Sequence, residues 1–139
     1  MSRIINMLKL HEGVKSHAYK CTAGKTTIGV GRNIDADGGM GLSEDEIDYL
    51  LSNDVERVKA ELEREFDWFK WLCAARSDAM INICFNLGMP RLKLFKNALS
   101  AMAAGDYELA ATEFLDSRWA RQVGDRALTI AGMIQTGVY

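Results

Sequence analysis

Three side chains able to move a proton or hold a water molecule stand at fixed intervals near the start of this chain. Glu12 is followed after eight residues by Cys21, and Cys21 after five more by Thr27. Ile4, Met7 and Leu8 fall on one face at helical spacing and Gly13 is placed to close the helix, so Glu12 belongs at a helix C-terminus. The macrodipole is partially negative at that end and disfavours a carboxylate. Burial or a nearby like charge would push the group further toward the protonated form that a general acid requires. Cys21 and Thr27 add a thiol and a hydroxyl, which could grip one water between them if they project from the same side of a hairpin. A proton donor beside a held water is equipment for hydrolysis.

The elements that must position these groups can be read from local signals. Residues 16–21 have the length of a short strand, 23–25 can form a three-residue turn, and 26–30 are rich in β-branched side chains. In that register Thr22 pairs with Thr26 and Cys21 faces Thr27. A two-residue turn would instead pair Cys21 with Thr26 and send Thr27 to the opposite face. Residues 33–41 read as a loop. Ser43 with Glu46 then makes a capping box, Glu44 and Asp45 add carboxylates to the first turn, and apolar residues repeat at helical intervals to Leu62. Residues 74–87 are apolar nearly all round and predict a buried central helix ended by Gly88 and Pro90. Residues 92–103, 107–114 and 125–134 predict three more helices. Cys73, Cys84 and Trp119 are expected in the core. The class is α+β, with a small antiparallel hairpin lobe beside a helical bundle and a cleft between them. One domain of residues 1–139 is expected: a hairpin lobe over about 14–42, a connecting helix over about 43–64, and a helical lobe of 65–139 together with 1–12.

With Gly13, Tyr19, Gly24, Ile28, Gly29 and Gly31 framing Glu12, Cys21 and Thr27, the chain resembles the phage-type lysozymes, the endolysins of glycoside hydrolase family 24. The resemblance continues through 42–46, 80–88, 117–119 and 125–127. It implies a lysozyme-like fold and a muramidase that hydrolyses the β-1,4 bond between N-acetylmuramic acid and N-acetylglucosamine in peptidoglycan glycan strands. It makes Glu12 the acid that protonates the leaving oxygen, and gives Cys21 and Thr27 the water on the opposite face of the sugar, a pairing that corresponds to inversion. The position of Cys21 is most familiar in this family as aspartate. An unperturbed thiol, with a pKa of about 8.5, is mostly neutral at neutral pH, and Lys20 and Lys25 could raise its thiolate fraction. The thiolate is then a base, an electrostatic partner of the oxocarbenium ion, or a nucleophile. The resemblance also sets Arg126 next to the acid and Asn86 on the cleft floor, where many members carry glutamine. Arg32 is a candidate for the opposite wall. Two other classes compete: a non-catalytic wall-binding or virion structural protein on the same fold, and a lytic transglycosylase.

Composition fits a small enzyme that needs neither metal nor cofactor. A chain of 139 residues can bury about two-thirds of its unfolded surface without disulfides. A net charge of -2 and a pI of about 5.7 argue against nucleic acid as partner. Three scattered cysteines and two histidines form no metal-ligand pattern. No signal peptide and no apolar run of the ~18 residues that span a bilayer are visible. The expectation is a monomer made in the host cytoplasm, without stable membrane insertion. It would reach the wall in the periplasm after membrane permeabilisation, through a holin pore or a comparable breach.

Overall fold

The computed structural model describes residues 2–139. Among the described residues eight helices and a three-stranded antiparallel sheet run in the order α1 (Arg3–Glu12), β1 (Lys15–Lys20), β2 (Thr26–Gly29), β3 (Arg32–Asn33), α2 (Glu44–Glu65), α3 (Ala74–Leu87), α4 (Met89–Leu92), α5 (Lys96–Ala104), α6 (Tyr107–Leu115), α7 (Arg118–Val123) and α8 (Asp125–Thr136). A single 3₁₀ turn, Phe69–Trp71, precedes α3. The described residues divide into two compact units, one up to Leu50 and one from Leu51 to Tyr139, with the division falling inside α2.

In the first unit, α1 starts at Ser2, whose hydroxyl accepts the N–H of Ile5, and ends at Gly13, whose φ of 79° breaks the helix after Glu12. The strand order is β1-β2-β3, so β2 is central and carries Thr27 between Tyr19 on β1 and Asn33 on β3. Cys21 pairs with Lys25 across the turn through Cys21 N–H to Lys25 O at 2.9 Å, leaving Thr22, Ala23 and Gly24 as the loop. Gly24 N–H closes a tight turn onto Cys21 O at 2.8 Å, with a φ of 78° that suits glycine. The register therefore differs by two residues from the one expected, and Cys21 does not face Thr27 directly. The side-chain period of a strand is two, so this shift keeps Cys21 and Thr27 on the same face as diagonal neighbours. The two-residue turn that would have separated them is not formed. The brief strand β3 lies where only loop was expected.

The capping box forms as expected. Ser43 N–H donates to Glu46 Oε1 at 2.8 Å and Glu46 N–H to Ser43 Oγ at 3.2 Å, which starts α2.

The hydrophobic core lies in the second unit. α3 has its expected bounds but is amphipathic, burying Ala75, Ala79, Met80, Ile83, Cys84 and Leu87 while Phe85 and Asn86 stay exposed. α8 adds Ala127, Ile130, Ala131 and Ile134 at helical spacing and packs on α3 and α6. α5 and α6 pack on each other and bury Ala98, Ala101, Ala110 and Ala111, whose small side chains suit closely packed helices. Trp119 is buried as expected, whereas Cys73 is exposed, its thiol reaching only Gly137 O at 3.6 Å. The helix expected over 92–103 begins at Lys96 instead, because the chain turns at Phe95 and seats that ring 5.4 Å from Phe114 and 6.4 Å from Trp119.

Candidate active site

Glu12 is exposed at the last position of α1. Its carboxylate lies over the β2–β3 turn, where a Cβ added to Gly31 would stand 2.8 Å from Glu12 Oε2. With a φ of 68° as well, Gly31 leaves the room this approach needs.

The thiol and hydroxyl are assembled by the β1–β2 turn. The Cys21 thiol sits beside the turn amides of Lys25 and Ala23 and the hydroxyl of Thr27, whose favourable polar interactions outweigh the opposing effect of desolvation. Led by the Lys25 amide, these interactions lower the thiol below its ordinary pKa, because they favour the charged form. Thr27 is 4 % exposed, and it alone is buried among the described residues of the first unit. Its hydroxyl donates to Lys25 O at 2.9 Å, so one carbonyl accepts both the Cys21 backbone N–H and the Thr27 side chain. A hydroxyl has one hydrogen and two lone pairs. Thr27 can therefore accept from the protonated thiol while bonded to Lys25 O, or turn its hydrogen to a thiolate.

Arg32 is engaged within its own unit. Its Nη1 donates to Glu46 Oε1 at 2.6 Å and to Gly41 O at 3.2 Å, tying β3 to the start of α2. Glu46 is held at a pKa of about 2, first by the Ser43 N–H and then by Arg32. Asp35 is likewise held at about 2, first by the N–H of Thr26 and then by that of Asp37. Carboxylates depressed in the folded state contribute stability above their ordinary range, and that stability is lost as pH falls through the folded value. Melting temperature is thus expected to drop between about pH 4.5 and pH 2, and an Asp35→Asn/Glu46→Gln variant to have a flatter profile. Identical pH profiles by circular dichroism would contradict these assignments.

The remaining candidates lie in the second unit. Asn86 Oδ1 accepts the indole N–H of Trp119 at 2.8 Å, which fixes the amide and leaves its NH₂ able to donate. Arg126 points both Nε and Nη2 at Asn82 Oδ1, at 3.0 and 2.7 Å, and helps line an open cavity of about 360 Å³ with Asp78, Ile81 and Phe85. Nothing in the sequence marks Asn82, whose link to Arg126 spans 44 residues, or Asp35 as residues of the site. Among the described residues no group of three or more His, Cys, Asp or Glu side chains is arranged to hold a metal ion.

The family model described as phage lysozyme matches residues 9–135. Similar proteins include an endolysin of Acyrthosiphon pisum secondary endosymbiont phage 1, 27 % identical over 93 % of this chain and 86 % of that protein. A probable T4-type lysozyme 1 of Dictyostelium discoideum is 26 % identical over 99 % of this chain and 96 % of its own length. An endolysin of Bacillus phage B103 is 30 % identical over 86 % of this chain and 45 % of that protein.

Proposed function

The chain belongs to the phage lysozyme family and is a peptidoglycan-hydrolysing glycosidase of the endolysin type; from that premise we propose how its residues carry the reaction. The bond cut is the β-1,4 linkage between N-acetylmuramic acid and N-acetylglucosamine. Glu12 gives its proton to the leaving glycosidic oxygen. Cys21, as thiolate, takes a proton from the water that attacks the anomeric carbon from the other face, while Thr27 holds that water. The water oxygen forms the new bond, the glycosidic bond breaks, and configuration inverts. The observation carrying this reading is the Lys25 carbonyl, which accepts both the Cys21 N–H and the Thr27 hydroxyl at 2.9 Å and so holds the two residues together beside turn amides that lower the thiol pKa. These amides favour at this position the negative charge that an aspartate would bring unaided. Asn86 and Arg126 on the second unit, and Arg32 on the first, are the proposed substrate contacts.

The protein acts on the cell wall, and among its described residues no helix is long and apolar enough to cross a membrane. We propose that it works as a monomer and reaches the periplasmic face of the wall when the inner membrane is breached, as through a holin pore. Cells expressing it alone are expected to stay intact and to clear once a pore-former or a permeabilising agent is added, followed by turbidity. Lysis of intact cells without either would contradict this route, and failure to clear permeabilised cells would contradict the activity.

A further inference from the structure

The loop between β3 and α2 is laced to the turn that carries Cys21. Asp35 Oδ2 accepts the N–H of Thr26 at 2.9 Å, and its Oδ1 accepts that of Asp37 at 2.9 Å. Asn33 Oδ1 accepts the N–H of Asp35 at 3.0 Å, Asp35 O that of Gly39 at 2.9 Å, and Thr26 O that of Ile34 at 2.9 Å. Two lysines close the lacing from the other side. Lys20 Nζ donates to Thr26 Oγ1 at 2.8 Å and lies 3.9 Å from Asp35 Oδ2, while Lys25 Nζ reaches Asp37 O at 3.0 Å and Asp37 Oδ2 at 3.1 Å. The loop closes only around Gly39, since a Cβ there would overlap the backbone O and N of Asp35 and stand 2.7 Å from Asn33 Oδ1.

Thr26 is the residue between Lys25, whose carbonyl serves both Cys21 and Thr27, and Thr27 itself. We propose that Asp35 is a positioning residue for this site, its two-armed carboxylate pinning the Thr26 peptide so that the Lys25 amide and carbonyl stay aimed at Cys21 and Thr27. The inference rests on the reading that Cys21 and Thr27 manage the attacking water. Asp35 acts through the backbone of residues 25–27. A carboxylate is suited to the task because it accepts on both oxygens and donates nothing, whereas an amide offers one acceptor and must give up one arm.

The test uses a Cys73→Ser background, so that Cys21 is the accessible thiol; Cys84 is buried, and burial pushes its pKa up to about 11. Alkylation of the full-length protein by iodoacetamide, followed against pH, reads the Cys21 titration without any substrate. Asp35→Ala is expected to move that titration up as the turn amides lose their aim, and to lower kcat by about 10-fold with KM unchanged. Asp35→Asn is expected to show a smaller shift in the same direction, and it decides the matter if the alanine variant does not fold by circular dichroism. A folded Asp35→Ala protein with the parent titration, or an Asn variant with neither shift when the alanine variant is unfolded, would overturn the proposal. A parent inactive on peptidoglycan would sink the catalytic reading instead and leave the titration experiment intact.

Discussion

Glu12→Gln is expected to cut peptidoglycan hydrolysis by about 10²- to 10⁴-fold, the usual cost of losing a general acid, while melting temperature stays at the parent value. Glutamine has nearly the shape of glutamate, and so keeps its place at the end of α1 and its approach to Gly31. What it lacks is the proton for the leaving oxygen. Glu12 is exposed and contributes nothing to the core, so the two measurements should separate cleanly. Turnover on purified wall together with thermal unfolding provides the check, and a Gln variant with parent turnover would remove Glu12 from the mechanism.

The second large effect concerns Cys21. Cys21→Ala is expected to lose about 10²-fold or more in turnover, because the attacking water then meets no base. Cys21→Asp is expected to retain substantial turnover, since a carboxylate is ionised at neutral pH and can accept the same turn amides that meet the sulfur. A small thiol reagent should inactivate the parent and spare the Asp variant. Both proteins need the Cys73→Ser change, because Cys73 is exposed. Full turnover by Cys21→Ala would demote the thiol to packing, and a dead Cys21→Asp protein beside an active parent would favour a role only sulfur can fill, such as covalent attack.

Features stated by neighbouring residues were legible in the chain. Gly13 ending α1 after Glu12, the Ser43–Glu46 box and the bounds of α3 each follow from side chains within one or two helical turns. Strand β3 was not legible, because two residues show no period and Arg32–Asn33 exists only by pairing with β2. The hairpin register was half legible. Strand alternation put Cys21 and Thr27 on one face, but the tight turn closing at Gly24 sets a pairing two residues away from the one its composition suggested. Helix α7 had readable signals in Ser117, whose hydroxyl caps it, and Gly124, which ends it. The break before α5 had none, being set by where the ring of Phe95 packs. Within the site, the types and spacing of Glu12, Cys21 and Thr27 were legible. The supports around them, the Asp35 carboxylate on Thr26, the open space at Gly31 and the Lys25 carbonyl, were not, since loops bring these together across the sequence.

Hydrolysis by this protein is tested most directly by mass spectrometry of the fragments that the parent releases from purified peptidoglycan. Hydrolysis of the β-1,4 bond adds one water to each cut and leaves N-acetylmuramic acid at the new reducing end. Such fragments are expected from the parent, with a rate of release lowered by about 10²-fold or more in Glu12→Gln. Fragments lacking that water, with an anhydro ring on the sugar, would contradict hydrolysis, and the absence of fragments would contradict catalysis altogether.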